Sequence, residues 1–221
     1  MRRVTVHQIG RLTEEQIVDR LLTEKSFLCI VNTRPHAAKL FGQLRECGGE
    51  KDGLFHLSTY LCGQHRAELL AKIRRKLLEK KPCRVISTQL IEAGVDVDFP
   101  VVYRALSGLD SIAQAAGRCN REGSLSKGLV YVFDPVEVRL QGYLGSVASS
   151  AAEVASECDD LLDPAAITRY FELHYWKHAD RWDKHDVMRC FPKPAQDFAF
   201  DFHMAAERFR MIEDSAKSVI V

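Results

Sequence analysis

The sequence has no two cysteines at a metal-ligating or disulfide-framework spacing. Its seven cysteines stand singly at positions 29, 47, 62, 83, 119, 158 and 190, with no CxxC. An odd and scattered set excludes a disulfide scaffold and a thiolate zinc site, and it fits a reducing compartment. Long apolar runs are missing too. Nothing approaches the roughly 18 residues of a membrane span, and the first residues lack the apolar core of a signal peptide. A cytoplasmic protein with no membrane contact is expected. Charge of one sign is also missing, since 31 basic residues meet 30 acidic ones for a net +1. Any nucleic acid must therefore meet a local groove, because there is no overall basic field to attract it. Neither a GxxxxGK[ST] loop nor a DExH or DEAD tetrapeptide occurs. Nothing then cradles a polyphosphate, and no carboxylate pair holds Mg²⁺ or an attacking water. The chain is not expected to hydrolyse a nucleoside triphosphate alone. His178 with Asp180, and His185 with Asp186, are too few ligands for a metal phosphohydrolase and read as surface residues, so no metal site is expected.

What is present is an ordinary globular composition, 46% hydrophobic and 28% charged over 221 residues. That length suits one α/β domain with an extension. The stretch from Val85 to Gly123 carries the chemistry. A short buried-type strand, Arg84 to Ser87, leads to Thr88, which is placed to cap one helical turn from Gln89 to Ala93. Gly94 suits the C′ position of that turn. The capping-box partner of Thr88 would stand at position 91, which is Ile91, so Glu92 needs another role. Hydroxyls and amides at a strand's carboxyl end commonly meet ligands in open α/β sheets. Asp96 lies just beyond, available to a ribose hydroxyl or an arginine. Further on, Ser111 is placed to cap a helix from Ile112 to Arg121. Such a helix carries Gln114, Arg118 and Arg121 at i, i+4 and i+7, on one face. Guanidinium forks match phosphate oxygens. Gly117, costly inside a helix by about 1 kcal/mol relative to alanine, predicts close approach of another backbone or a ligand.

STQxxEAGVDVD (87–98) followed by QAAGRCNREG (114–123) resembles the fifth and sixth motifs of superfamily 2 helicases, with wording closest to the CRISPR-associated helicase–nuclease of type I systems. The resemblance runs from about Ser26 to Asp134. It implies a RecA-like parallel sheet flanked by helices, the second of two motor domains. It also implies that Arg118 and Arg121 face the γ-phosphate of ATP, held with Mg²⁺ across a cleft, with Arg121 as arginine finger. Gln114, Gly94, Asp96 and Gly117 would line the nucleotide side and couple it to closure, and Thr88 would contact the DNA backbone. The family's nuclease and first motor domain lie N-terminal to this region, hence outside this chain. Single-stranded DNA and a Cascade-type surveillance complex are the implied partners. Other readings are a different superfamily 2 motor, on DNA or RNA, and a non-catalytic module that binds nucleic acid or protein.

The remaining pattern supports the fold class. Met1 to Ile9 alternates weakly as a strand, and Thr13 caps a helix over Glu14–Thr23. Ser26 to Val31 is a continuous apolar run, as in a central parallel strand. Asn32-Thr33-Arg34-Pro35 turns it into a helix that ends at Gly48-Gly49, and the resemblance puts Thr33 and Arg34 near the DNA. Leu54–Ser58 reads as a strand. A basic helix follows from Gln64 to Lys81, stopped by Pro82, and the resemblance makes Arg66 its best-placed nucleic-acid contact. Strands at Pro100–Ala105 and Gly128–Asp134 complete βαβ units. The motor domain is taken as 1–146, with a linker and a smaller, mostly helical accessory region over 147–221. Residues 135–163 are expected as a surface helix or linker. An aromatic-striped helix follows (Ile167, Tyr170, Phe171, Tyr175, Trp176), its stripe more in keeping with core than with base stacking. A strand over Phe198–Phe202, a helix over Met204–Met211 and an apolar strand at Ser218–Val221 close the expectations. That last strand is expected to continue into a longer polypeptide.

Overall fold

The computed structural model describes residues 3–47, 53–191 and 200–209. Six strands form one all-parallel sheet in the order β1-β6-β5-β2-β4-β3. They are β1 (Val4–Leu12), β2 (Ser26–Ile30), β3 (Leu54–Leu57), β4 (Cys83–Ser87), β5 (Val101–Ala105) and β6 (Gly128–Pro135). β2 and β5 are buried on both faces, which explains their uninterrupted apolar runs. Helices α1 (Glu14–Leu22) and α2 (Arg34–Cys47) cover one face, where Ile17, Leu21, Ala37 and Leu40 meet Phe27 and Tyr103. Helices α3 (Gly63–Leu78) and α4 (Leu109–Ala116) cover the other, where Ile73 and Ala115 meet Leu28, Val85 and Val102. This is the RecA-like α/β arrangement.

Local chemistry sets the element ends. Thr13 caps α1 through its hydroxyl, and Gln16 returns the bond to the Thr13 amide, a full capping box. α3 is shorter than its basic run suggests. It stops at Leu78 because Lys80 turns left-handed (φ 52) and Lys81 N–H bonds back to Lys76 O. That backbone closure, rather than Pro82, ends the helix.

Residues 135–163 form α5 (Gly142–Glu157), one side of which is buried through Val147, Ala151 and Val154. With α6 (Pro164–Lys177) it packs on Leu109 and Ile112 of α4 and on Val132, making a third apolar cluster. Tyr170 is buried there, while Tyr175 and Trp176 are exposed, so the aromatic stripe divides between core and surface. By compactness the chain separates into Met1–His174 and Tyr175–Val221. α5 therefore lies in the first unit, although composition changes near residue 146. In the second unit, Phe202 opens α7 (Phe202–Arg208) under the Asp201 cap instead of ending a strand. Residues 192–199 and 210–221, with the rest of that expected strand, Met211 and the Ser218–Val221 strand, lie outside the described residues. Asp186 pairs with Arg189 and Arg208, and among the described residues no cluster of three or more His, Cys, Asp or Glu side chains could hold a metal.

His36, in the first turn of α2, is buried with both ring nitrogens unpartnered. Burial pushes its pKa below the ordinary value, against the pull of the Glu14 and Glu137 carboxylates and with Lys39 acting in the same direction as burial. His36 therefore takes up its proton at a lower pH in the fold than in the unfolded chain, where it does so below about pH 6.5. Stability is then fully present above that pH and lost as pH falls through it. Replacing His36→Leu should flatten the slope of unfolding free energy against pH, between pH 5 and 6.5, by up to ~1.4 kcal/mol per unit, measured by urea titration.

Candidate nucleotide and nucleic-acid interface

The connections out of β2 and β5 run to opposite sides of the sheet, β2 to β3 and β5 to β6, so a crevice opens at their carboxyl ends. A buried ionic network occupies it. Arg104, at the end of β5, is completely buried. Its Nε lies 2.8 Å from Glu92 Oε1, as an ion contact rather than an aligned hydrogen bond. Its other donors reach Asn32 Oδ1 (2.7 Å), Ala105 O (2.7 Å) and Ser111 Oγ (2.7 Å). Ser111 in turn bonds the Glu92 carboxylate at 2.8 Å. Burial raises the Glu92 pKa and lowers that of Arg104, so desolvation outweighs what their attraction returns to either group. This is the role that the missing capping box left open for Glu92. Ser111 belongs to the same network and not to a helix cap, since Gly108 precedes the first turn of α4.

Arg118 and Arg121 do not share a helical face with Gln114. α4 ends at Ala116, Gly117 is its C-cap (φ −64), and the chain leaves as a turn pinned by the Phe99–Cys119 bridge. No foreign backbone approaches Gly117. The nearest atom to an added Cβ is the preceding turn's Gln114 O, at 3.2 Å. The close fit lies instead at Gly128, where a Cβ would stand 2.5 Å from Cys119 Sγ. Past the turn, Asn120 (φ 45) binds Arg3 O and Leu125 O through its amide, and Asp98 accepts from the amides of Arg121 and Glu122.

This loop still brings both arginines to the fifth-motif segment. Arg118 Nη2 donates to Glu92 O at 2.6 Å, and Arg121 Nη1 pairs with Asp96 at 3.0 Å. Burial first, then the neighbouring Arg121, pushes the Arg118 pKa down while Asp96 opposes. It remains a cation at neutral pH. Arg121 and Asp96 are both substantially exposed, 46% and 77%, so their pair contributes no more than about 1 kcal/mol. Arg121 is free to exchange Asp96 for a stronger anion. Gln114 is exposed on α4. The turn after Thr88 is shorter than expected, Gln89–Ile91 with Glu92 as its C-cap, so Gly94, although left-handed (φ 69), lies one residue beyond the C′ position.

The expected nucleic-acid contacts follow the carboxyl ends of β2, β4 and β3. The Thr33 hydroxyl caps α2 by accepting from His36 N–H. Thr88, at the end of β4, is buried and makes no side-chain cap. Arg34 is exposed, its guanidinium 4.5 Å from the centre of the Tyr60 ring. Arg66 on α3 and Gly94 line one cavity of about 240 Å³, with Leu57, Leu70, Ile91 and Val95 as its apolar wall.

Residues 23–124 match the family model described as CRISPR-associated nuclease/helicase Cas3, C-terminal. The match covers 102 of the chain's 221 residues, just under half of it. The matched segment contains Thr33, Arg34, Arg66, Thr88, Arg104, Arg118 and Arg121. Two curated relatives agree. One is the Cas3 nuclease/helicase of Methanothermobacter thermautotrophicus, 29% identical over 114 residues that cover 52% of this chain and 12% of the relative. The other, from Haloferax volcanii, is 62% identical over 40 residues, 18% of this chain and 4% of the relative. Among solved structures, T. fusca Cas3–ATP superposes with a TM-score of 0.68 at 16% identity, over 96% of this chain and 29% of that one. A chain of a CRISPR RNA-guided surveillance complex, pre-nicking, superposes with a TM-score of 0.60 at 14% identity, over 86% and 28%. At such identities the structural likeness is one of fold. The chain spans about an eighth of the Methanothermobacter relative and under a third of the solved chains.

The two ion pairs differ in what they hold. Replacing Glu92→Gln leaves Arg104 buried without a counter-charge and should destabilise the domain by about 3–5 kcal/mol. Asp96→Asn should change stability by less than about 1 kcal/mol. Denaturant midpoints of the two variants, at equal unfolding slope, check the contrast.

Proposed function

We propose that this chain is the second motor domain of an ATP-driven translocase on single-stranded DNA, acting with a nuclease in type I CRISPR interference. The observation that carries the reading is the convergence of Arg118 and Arg121 on the Glu92–Asp96 segment, at the edge of a domain that has no phosphate-binding loop of its own. The residues fit a shared nucleotide site. Arg121 and Asp96 pair in solvent, Arg118 is held against Glu92 O and Gln114 is exposed on α4, so a domain closing on this edge would meet two cations, an amide and a carboxylate.

Bound ATP supplies the phosphoryl group whose transfer to water drives the movement. With ATP bound across the cleft, Arg121 would leave Asp96 and offset the negative charge that develops on the phosphoryl group during transfer, as an arginine finger does. Arg118 is held by Glu92 O and adds a second, more rigid cation. Asp96, released from Arg121, is available to a ribose hydroxyl. The described residues hold no carboxylate cluster suited to Mg²⁺, so the first motor domain would hold the metal and the attacking water. Alone, this domain should not turn over ATP.

At the carboxyl ends of β2, β4 and β3, Thr33, Arg34, Thr88 and Arg66 form one wall of the DNA path. Exchange of Arg121 between Asp96 and the nucleotide then couples the cleft to the segment next to Thr88. Recruitment by a Cascade-type complex accords with the family. Among the described residues no helix is long and apolar enough to cross a membrane.

Single-stranded-DNA-stimulated ATPase of the full-length protein tests the assignment. Arg121→Ala should lower turnover by roughly 10³-fold or more while the melting temperature holds. Near-normal turnover in a folded Arg121→Ala protein would overturn the finger assignment and leave a binding module as the better reading.

A further inference from the structure

The turn after β3 carries a side chain that the nucleotide and backbone contacts leave unexplained. Tyr60 is 68% exposed, yet the turn that presents it is fixed on both sides. Ser58 is buried, Leu61 N–H bonds to Ser58 O at 3.1 Å, and Leu61 packs on the second apolar cluster. The ring is therefore held out from a rigid base. One of its faces is occupied by the Arg34 guanidinium at 4.5 Å, and the opposite face is left to solvent.

The sheet order makes this contact unusual. β4 lies between β2 and β3, so Arg34, after β2, and Tyr60, after β3, meet across the end of the intervening strand. Two strand spacings are roughly 10 Å, a distance that the long arginine side chain bridges. The pair thus forms a rung above the end of β4, where Thr88 follows Ser87. A cation against one face and water against the other is the arrangement in which an aromatic ring takes a flat, sequence-tolerant partner.

We infer that Tyr60, steadied by Arg34, is a stacking platform for a base of the single strand passing over the carboxyl ends of β2, β4 and β3. The inference rests on the DNA path proposed above. It adds base contact to a wall otherwise made of phosphate contacts, so that the strand is gripped through a base as well as its backbone. Stacking of this kind has no sequence preference, in keeping with movement along any strand.

The test uses the full-length protein and fluorescence anisotropy at fixed salt, with a labelled oligo-dT and an abasic deoxyribose-phosphate strand of equal length. Tyr60→Ala should weaken oligo-dT binding by about 5- to 150-fold, whereas Tyr60→Phe should bind like wild type. The abasic strand should be held equally by wild type and Tyr60→Ala. Unchanged oligo-dT affinity in Tyr60→Ala, with wild type binding normally, overturns the stacking role alone. An equal loss on both strands also overturns it, because the effect would then act through the backbone or the fold. A wild-type protein that binds neither strand removes the DNA path and the platform together.

Discussion

The crevice is built around a fully buried arginine. Arg104 would be intolerable at the centre of an apolar sheet without partners, because an isolated buried charge is several kcal/mol out of balance. Here Glu92, Ser111, Asn32 and the Ala105 carbonyl surround it. Those partners come from the turn after β4, from α4 and from the end of β2. A single guanidinium therefore fixes three segments that are far apart in sequence. The tether extends further, since Glu92 O receives Arg118 and Asn32 O receives Gln89. Hydrophobic packing alone would leave these polar strand ends free to slide, and a directional network sets their register.

Against this rigid centre, the outer contacts are weak. Arg121 and Asp96 meet in solvent, and Gln114 extends from α4 with little around it. That gradient suits a site completed by another body. Side chains that would change partner in the proposed site are held at about thermal energy, while the frame carrying them is held at several times that. A strong buried grip on Arg121 would fix the domain in one state.

Much of this architecture was legible in the residues, and the failures have physical causes. Continuous apolar runs located the central strands, because strands buried on both faces have no alternation to confuse. Thr13 marked its helix through simple capping chemistry. The arginine helix was misread because QAAGRCNR keeps helical spacing up to Arg121. The real chain leaves the helix at Gly117, and the ladder contact between Phe99 and Cys119 overrides local propensity. Arg118 and Arg121 thus meet the fifth motif by a route that helical periodicity does not describe. Arg104 was overlooked, although an arginine inside PVVYRAL is itself a signal. A charge in a fully apolar strand demands a partner, and Glu92 was the carboxylate without an assigned role. Lys80 gave no hint, as lysine seldom takes a left-handed turn. Asn120, which holds the loop to Arg3, is legible only in hindsight from its tolerance of positive φ.

The sheet places the strand nearest the start of the chain against the one that comes last. β1 pairs along β6, Val4 beside Gly128 and Leu12 beside Pro135, so neither edge is satisfied until nearly the whole domain exists. On a ribosome, β1 emerges and must wait, while β2 to β5 can already pair among themselves before β6 exists. Closing that long loop is entropically slow compared with forming any neighbouring βαβ unit. Until β1 docks on it, β6 has no partner on its outer side, and a second nascent chain could supply one. The exposed polar residues of β1, His7, Gln8 and Arg11, make it a poor adhesive for strangers, which limits that hazard while the proper pairing forms.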